Sequence, residues 1–260
     1  MQKKNIISTF LSLANYVADT IAIELLKYYK LKNLELSKKK VKNQIVTDLD
    51  YKVEKIARKL IKSQYPDHNI IGEELKSVNK KSDFTWIIDP IDGTKAFVSG
   101  IPVFTFLLSL KYKNNYILGL VDQPVLKERY WNLSDKAFLN GIEIKVRKYI
   151  SLSSSIIAIT DPLMFDNYAL LNQKIFKKLN FIRWGTDALG YMRCAEGIID
   201  GVVERNIKIW DIAAIIPILK ASGGIITTWD NKTPGTNDTI VACNNIKLHK
   251  ILVNTLQNYI

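Results

Sequence analysis

Histidine and cysteine are both scarce: the 260-residue chain has two of each, His68 and His249, Cys194 and Cys243. Two cysteines far apart in sequence make no disulfide framework, so a reducing cytosol is the expected surrounding and the chain is expected to be cytoplasmic. So few imidazoles and thiols also leave little from which to build a zinc site of nitrogen and sulfur ligands. The seven prolines and twelve glycines gather into no linker, and no repeat or low-complexity segment divides the chain. No unbroken apolar run approaches the ~20 residues that cross a bilayer, and no membrane is expected as a partner. The opening Met1-Gln2-Lys3-Lys4, followed by Ile6 and Ile7, begins like a signal peptide. Apolar positions at Phe10, Leu13, Ala14, Val17, Ile21 and Leu25 instead trace one face of a long amphipathic helix that runs past any cleavage site.

What the chain has is bulk and positive charge. With 47% hydrophobic residues it can bury a sizeable core as one unit, and Lys and Arg exceed Asp and Glu by 37 to 25, a formal charge of +12. The clusters Lys38-Lys39-Lys40 and Lys80-Lys81 would suit phosphate contacts. Lysine is nevertheless dispersed along the whole chain, without interleaved aromatic residues or a nucleic-acid module. A solvated basic surface is the expectation, able to steer small anions, and nucleic acid is not an expected partner.

The most informative stretch is Asp89-Pro90-Ile91-Asp92-Gly93-Thr94. It follows the apolar run Phe84-Thr85-Trp86-Ile87-Ile88, which reads as a buried strand that Pro90 and Gly93 should stop. Two short anionic side chains at the end of a strand can converge on a hard divalent cation through oxygen, where open α/β sheets place their ligands. They can equally cap the following helix. Two further segments carry acids beside apolar runs: Ile70-Ile71-Gly72-Glu73-Glu74, and Trp210-Asp211 before Ile212 to Ile216. Alone, Asp211 reads as a helix N-cap and the glutamates as solvated loop acids. Together, such carboxylates would repel one another unless cations neutralise them, and Mg²⁺ or Mn²⁺ suits an all-oxygen set.

In this order, Gly72-Glu73-Glu74, Asp89 to Thr94 and Trp210-Asp211-Ile212-Ala213-Ala214 resemble the inositol monophosphatase family, and Val46-Thr47-Asp48-Leu49-Asp50 resembles its upstream motif. The resemblance runs from about the first helix to the end of the chain. Three stretches are similar to the histidinol-phosphatase-like branch: Thr94 to Pro102, Gly119 to Leu126 with Glu128-Arg129, and Thr160 to Phe165. Leu75 departs from the Ser or Thr common in inositol monophosphatases, which weakens the inositol assignment.

The resemblance implies a layered α/β/α/β/α sandwich in two lobes, about 1–150 with most of the metal motifs and about 151–260 with the substrate-side acids and Asp211. It implies a Mg²⁺-dependent phosphomonoesterase acting on a small anionic phosphate ester. Two or three ions would be held by Glu73, Asp89, the Ile91 carbonyl, Asp92 and Asp211, with Mn²⁺ as the alternative ion and Asp89 bridging at the ~3.5–4 Å spacing of two-metal sites. The catalytic group would comprise Glu73, Thr94 and Asp50, the last two orienting the attacking water and Asp50 taking its proton. Amides of Gly93 and Thr94 would bind phosphate. Glu204 matches the family acid that contacts a substrate hydroxyl or amine, and Asp187 and Asp211 complete the substrate side. Asp187 also fits as a helix cap in the polar turn Arg183, Gly185, Thr186. A homodimer and lithium sensitivity are implied as well. The alternatives are a 3′(2′),5′-bisphosphate nucleotidase and a non-catalytic RNA polymerase- or RNA-associated role on the same fold.

Overall fold

The protein is described by a computed structural model covering residues 2–30, 48–235 and 238–259. Lys38-Lys39-Lys40 and the Val46-Thr47 start of the upstream motif lie outside the described residues. Two helices open the fold, α1 (Gln2–Tyr28) and α2 (Asp48–Gln64). On α1 the residues Phe10, Leu13, Ala14, Val17, Ala18, Ile21 and Leu25 are all buried, the spacing of one helical face. Between Ile7 and Tyr28 this helix is long and apolar enough by composition to cross a bilayer, which a search for unbroken apolar runs overlooks because Asn15, Asp19 and Glu24 interrupt it. Here its buried face packs on a β-sheet.

That sheet has seven strands in sequence order: β1 (Asn69–Gly72), β2 (Phe84–Asp92), β3 (Thr105–Tyr112), β4 (Asn115–Gln123), β5 (Glu128–Leu133), β6 (Lys136–Leu139) and β7 (Ile142–Ile144). Only β1 and β2 pair in parallel; the rest is an antiparallel meander. Strand alternation divides the side chains between two cores. Trp86, Ile88, Phe106, Leu108 and Leu120 face α1 and α2, whereas Leu107, Val121 and Tyr130 face the middle of the molecule.

The second sheet has five strands, β8 (Ile156–Ile159), β9 (Phe181–Trp184), β10 (Gly201–Ile207), β11 (Ile225–Thr227) and β12 (Asp238–Cys243), in the order β11-β12-β10-β8-β9. The middle layer between the sheets is formed by α5 (Asp187–Ala195), α6 (Ile209–Ala213) and α7 (Ile215–Ala221). Outside the second sheet lie α4 (Tyr168–Lys174) and α8 (Ile246–Leu256). The architecture is the expected α/β/α/β/α sandwich.

Two local readings need correction. β2 does not stop at Ile88 but runs to Asp92, because Asp89 pairs with Leu107 while Asp92 pairs with Thr105. One extra residue on β2 makes a bulge, and a bulge tolerates the missing amide hydrogen of Pro90. Asp211 is not the N-cap of its helix: α6 begins at Ile209 after Lys208, and Asp211 sits inside the first turn, accepting from the Lys208 amide at 2.8 Å.

The seat of α6 depends on Gly119 of β4. A Cβ there would lie 2.0 Å from the Ala214 carbonyl oxygen and 2.9 Å from Pro217, so only glycine lets the α6–α7 junction touch the sheet. Ser109 of β3 secures the same junction by donating to Ala213 O at 2.9 Å. Gly119→Ala should therefore lower the unfolding free energy by about 1–3 kcal/mol, the usual cost of overpacking. Urea unfolding checks this, and unchanged stability would mean that the junction has slack.

Candidate active site

The bulge in β2 aims its two aspartates differently from a regular strand. Asp89, 2% exposed, folds back so that Oδ1 accepts the Ile91 amide at 3.1 Å. Asp92 reaches across to the middle layer, where its Oδ2 accepts the Ala188 amide of α5 at 2.7 Å. Gly93 follows at φ +77°, a left-handed turn that favours glycine, and leads into the five-residue helix α3 (Thr94–Val98). Thr94 is the first residue of α3, and its hydroxyl donates to the Ile91 carbonyl at 2.9 Å. Asp187 of α5 lies opposite, with its carboxylate about where a Cβ on Gly93 would touch it, 3.1 Å from Oδ2.

These groups line a cleft of about 270 Å³ where the two sheets and the middle layer meet. Glu73, Asp89, Ile91, Asp92, Gly93, Thr94, Asp187, Glu204 and Asp211 all border it. Asp50 does not. It is buried in the first turn of α2 behind the cleft, close enough to push Glu73 and Asp89 upward in pKa. Arg183 and Gly185 are exposed on the outside, and Thr186 lies outside the lining. Glu74 does not border the cleft and lies near Tyr51 of α2, whose pKa is raised first by burial and then by the Glu74 charge. Asp187 opens α5 at φ 45° and is not its cap; Thr186 occupies that position.

The sequence reading assigned no site role to seven lining residues: Lys95, Thr160, Met164, Ala188, Tyr191, Asn206 and Ile207. Tyr191 donates to Glu204 Oε2 at 2.7 Å, and the Thr160 hydroxyl donates to Glu204 Oε1. Thr160 also accepts the Asp187 amide at 3.1 Å, linking the two substrate-side acids. The spacing of Asp187 and Tyr191 at i and i+4 on a helix was the available signal.

Crowding shows in the acidities. Burial first, then Asp211, Glu74 and Asp50, push Glu73 up to about 8. Asp89 and Asp92 are raised well above the usual carboxylate range by burial and by their acidic neighbours. Burial lifts Asp187 and Asp211 to about 6 and Glu204 to about 7, the last opposed by its bonds from Thr160 and Tyr191. Glu73 and Asp89 stand close together, and the negative charge of Glu73 helps to hold the Asp89 carboxyl up. No three acid, histidine or cysteine side chains among the described residues are drawn together as a finished ligand cage. The donor set still fits a hard divalent ion: all oxygen, anionic, desolvated, with the Ile91 carbonyl alongside. Such an ion would supply the positive charge that these crowded carboxylates lack.

A five-layer sandwich with a carboxylate-lined cleft between its sheets defines a class of layered α/β proteins with an acidic, cation-suited site. The model of the inositol monophosphatase family matches residues 7–260, and the chain belongs to that family of phosphatases. A "Bifunctional phosphatase IMPL2, chloroplastic" of Arabidopsis thaliana is 32% identical over 95% of this chain and 75% of its own length. A histidinol-phosphatase of Chlorobaculum parvum is 30% identical over 82% of this chain and 83% of its own. Among solved structures, the extragenic suppressor protein suhB of Bartonella henselae superposes with a TM-score of 0.89 at 26% identity, covering 97% of this chain and all of that one.

Proposed function

We propose that this chain is a Mg²⁺-dependent phosphomonoesterase that prefers a small alcohol phosphate with a cationic leaving group, of the histidinol phosphate type. The observation that carries the reading is the cleft itself. Glu73, Asp89, Asp92, Asp211 and Thr94 border it together with Glu204 and Asp187, so the acids assigned to cations and those assigned to the leaving group share one space. Cations held by Glu73, Asp89, the Ile91 carbonyl, Asp92 and Asp211 would supply charge for the phosphoryl oxygens and acidify the attacking water.

The protein's own groups then have definite tasks. Thr94 gives its hydroxyl hydrogen to the Ile91 carbonyl, which leaves its oxygen free to accept from the water and so to orient it. Passing the water's proton through Thr94 to Asp50 requires that hydroxyl to turn away from Ile91. Gly93 and Thr94, at the head of α3, border the cleft, and their amides would bind the phosphate. Glu204, held at both oxygens by Tyr191 and Thr160, cannot swing away, and a cationic leaving group would favour its charged form, which burial otherwise defers to about pH 7. An amine or imidazolium gains a charge-assisted hydrogen bond there, whereas inositol hydroxyls gain only ordinary ones. The similar histidinol-phosphatase supports the same preference.

Glu204→Gln tests this choice of ester. Loss of a hydrogen bond to a charged group costs about 1.5–3 kcal/mol, so kcat/KM for histidinol phosphate should fall roughly 10- to 150-fold. Inositol 1-phosphate, assayed beside it, should lose much less. Equal losses on both esters would sink the cationic leaving group.

A further inference from the structure

Glu73 sits on a segment with no secondary structure of its own: β1 ends at Gly72, and the residues after it form an irregular bend. A loop of that kind ordinarily has freedom to move. This one is clamped by a buried ion pair from α2. Glu54, wholly buried, accepts the Glu74 amide on Oε2 at 2.7 Å and the Leu75 amide on Oε1 at 3.3 Å. Arg58, one turn on, donates from Nε to Glu54 at 2.7 Å and from its two terminal nitrogens to Lys76 O and Leu75 O at 3.1 and 3.0 Å. A Cβ on Gly72 would lie 2.1 Å from the Glu54 carboxylate, so glycine is required for that approach. Glu73 is thus bracketed by a glycine pressed on Glu54 and two amides bonded to it.

The helix phase is also informative. Asp50, Glu54 and Arg58 stand at i, i+4 and i+8, one polar stripe down the buried side of α2. Buried ion pairs are weak contributors to net stability, because desolvation consumes most of their attraction. Here both partners spend their remaining hydrogen-bonding capacity on the backbone of a single loop, the one that carries an acid of the cleft.

We propose that Glu54 and Arg58 are positioning residues that present Glu73 to the divalent cation by fixing its loop before the ion arrives. The proposal rests on the cation-dependent reading above and goes beyond it in assigning two residues that do not line the cleft.

Glu54→Gln keeps the shape but replaces one acceptor oxygen with an amide that faces other donors. In the cation-free protein, hydrogen exchange at the Glu74 and Leu75 amides should accelerate. Calorimetric binding of Mn²⁺ should weaken roughly 10- to 100-fold, the usual effect of removing a partner behind a ligand, while kcat at saturating Mg²⁺ stays near wild type. Arg58→Lys keeps the charge and loses the fork to Leu75 and Lys76, so it should shift both readouts in the same direction even if Glu54→Gln fails to fold. Arg147→Met breaks a more exposed ion pair, with Asp200 just ahead of β10, and should lower the melting temperature without touching Mn²⁺ affinity. A Glu54→Gln or Arg58→Lys protein that melts earlier yet binds Mn²⁺ like wild type, with unchanged loop exchange, overturns the proposal. Wild-type protein that binds neither Mn²⁺ nor Mg²⁺ overturns the cation reading first, and the proposal with it.

Discussion

Asp89→Asn should lower kcat/KM by about a thousand-fold while leaving the fold intact. The magnitude follows from removing a group that fixes charge at the reacting centre, where single deletions cost ~10²–10³. Asp89 is 2% exposed, accepts the Ile91 amide and lies beside Glu73. It therefore sits at the junction of two other proposed ligand groups. Asparagine keeps the shape and can still accept from Ile91, but it brings no negative charge. The same change should raise the melting temperature of the cation-free protein, because a buried carboxylate crowded by Glu73 and Asp92 is relieved. Lower activity together with higher metal-free stability is the signature of a residue kept for chemistry. Near-normal turnover by Asp89→Asn would remove the cation model.

Magnesium should stabilise the protein, and more so as pH rises from about 5.5 to 8. In the cation-free fold Glu73 titrates near 8, Glu204 near 7, and Asp187 and Asp211 near 6, all above their ordinary values near 4. Within that window the folded state holds protons that the unfolded state has released, so cation-free stability declines with rising pH. It is fully present near pH 4 and lost as pH passes through about 6 to 8. A divalent ion binds the ionised carboxylates, releases their protons and cancels the decline. At a hundredfold excess over the dissociation constant the gain is about 2.7 kcal/mol. For a chain of this size that corresponds to roughly 5–10 °C in melting temperature. Thermal melts in Mg²⁺ and in EDTA at pH 5.5 and 8 check both parts. An equal shift at the two pH values would contradict the carboxylate origin of the effect.

Much of the site was legible because its acids lie in short runs whose flanking residues dictate the backbone. Gly72 before Glu73, Pro90 and Gly93 around Asp92, and the apolar segment after Asp211 each mark a departure from regular structure that survives in the fold. The five-layer architecture followed from resemblance more than from periodicity. β4 is buried on both faces from Leu118 onward, so its pattern carries no alternation to read. The strands β5 to β7 are hard to read from sequence for a different reason: they are short and polar at the turns.

What was not legible depends on contacts distant in sequence. Asp92 meets the Ala188 amide 96 residues away, and Thr160 meets Glu204 across 44. No local pattern announces either. Asp50, expected at the water, is buried in the first turn of α2, does not border the cleft and is near enough to raise Glu73 and Asp89. The stripe Asp50, Glu54, Arg58 was available as a signal. Charged residues in the buried phase of an amphipathic helix need partners, and for Glu54 and Arg58 those partners are each other and the loop.

The most direct test of the central claim is phosphate release from histidinol phosphate, inositol 1-phosphate and adenosine 3′,5′-bisphosphate, each in Mg²⁺ and again in EDTA. The account predicts turnover that requires Mg²⁺, is fastest on histidinol phosphate and disappears on chelation. Turnover indifferent to EDTA, or none on any ester from well-folded protein supplied with Mg²⁺, would contradict it.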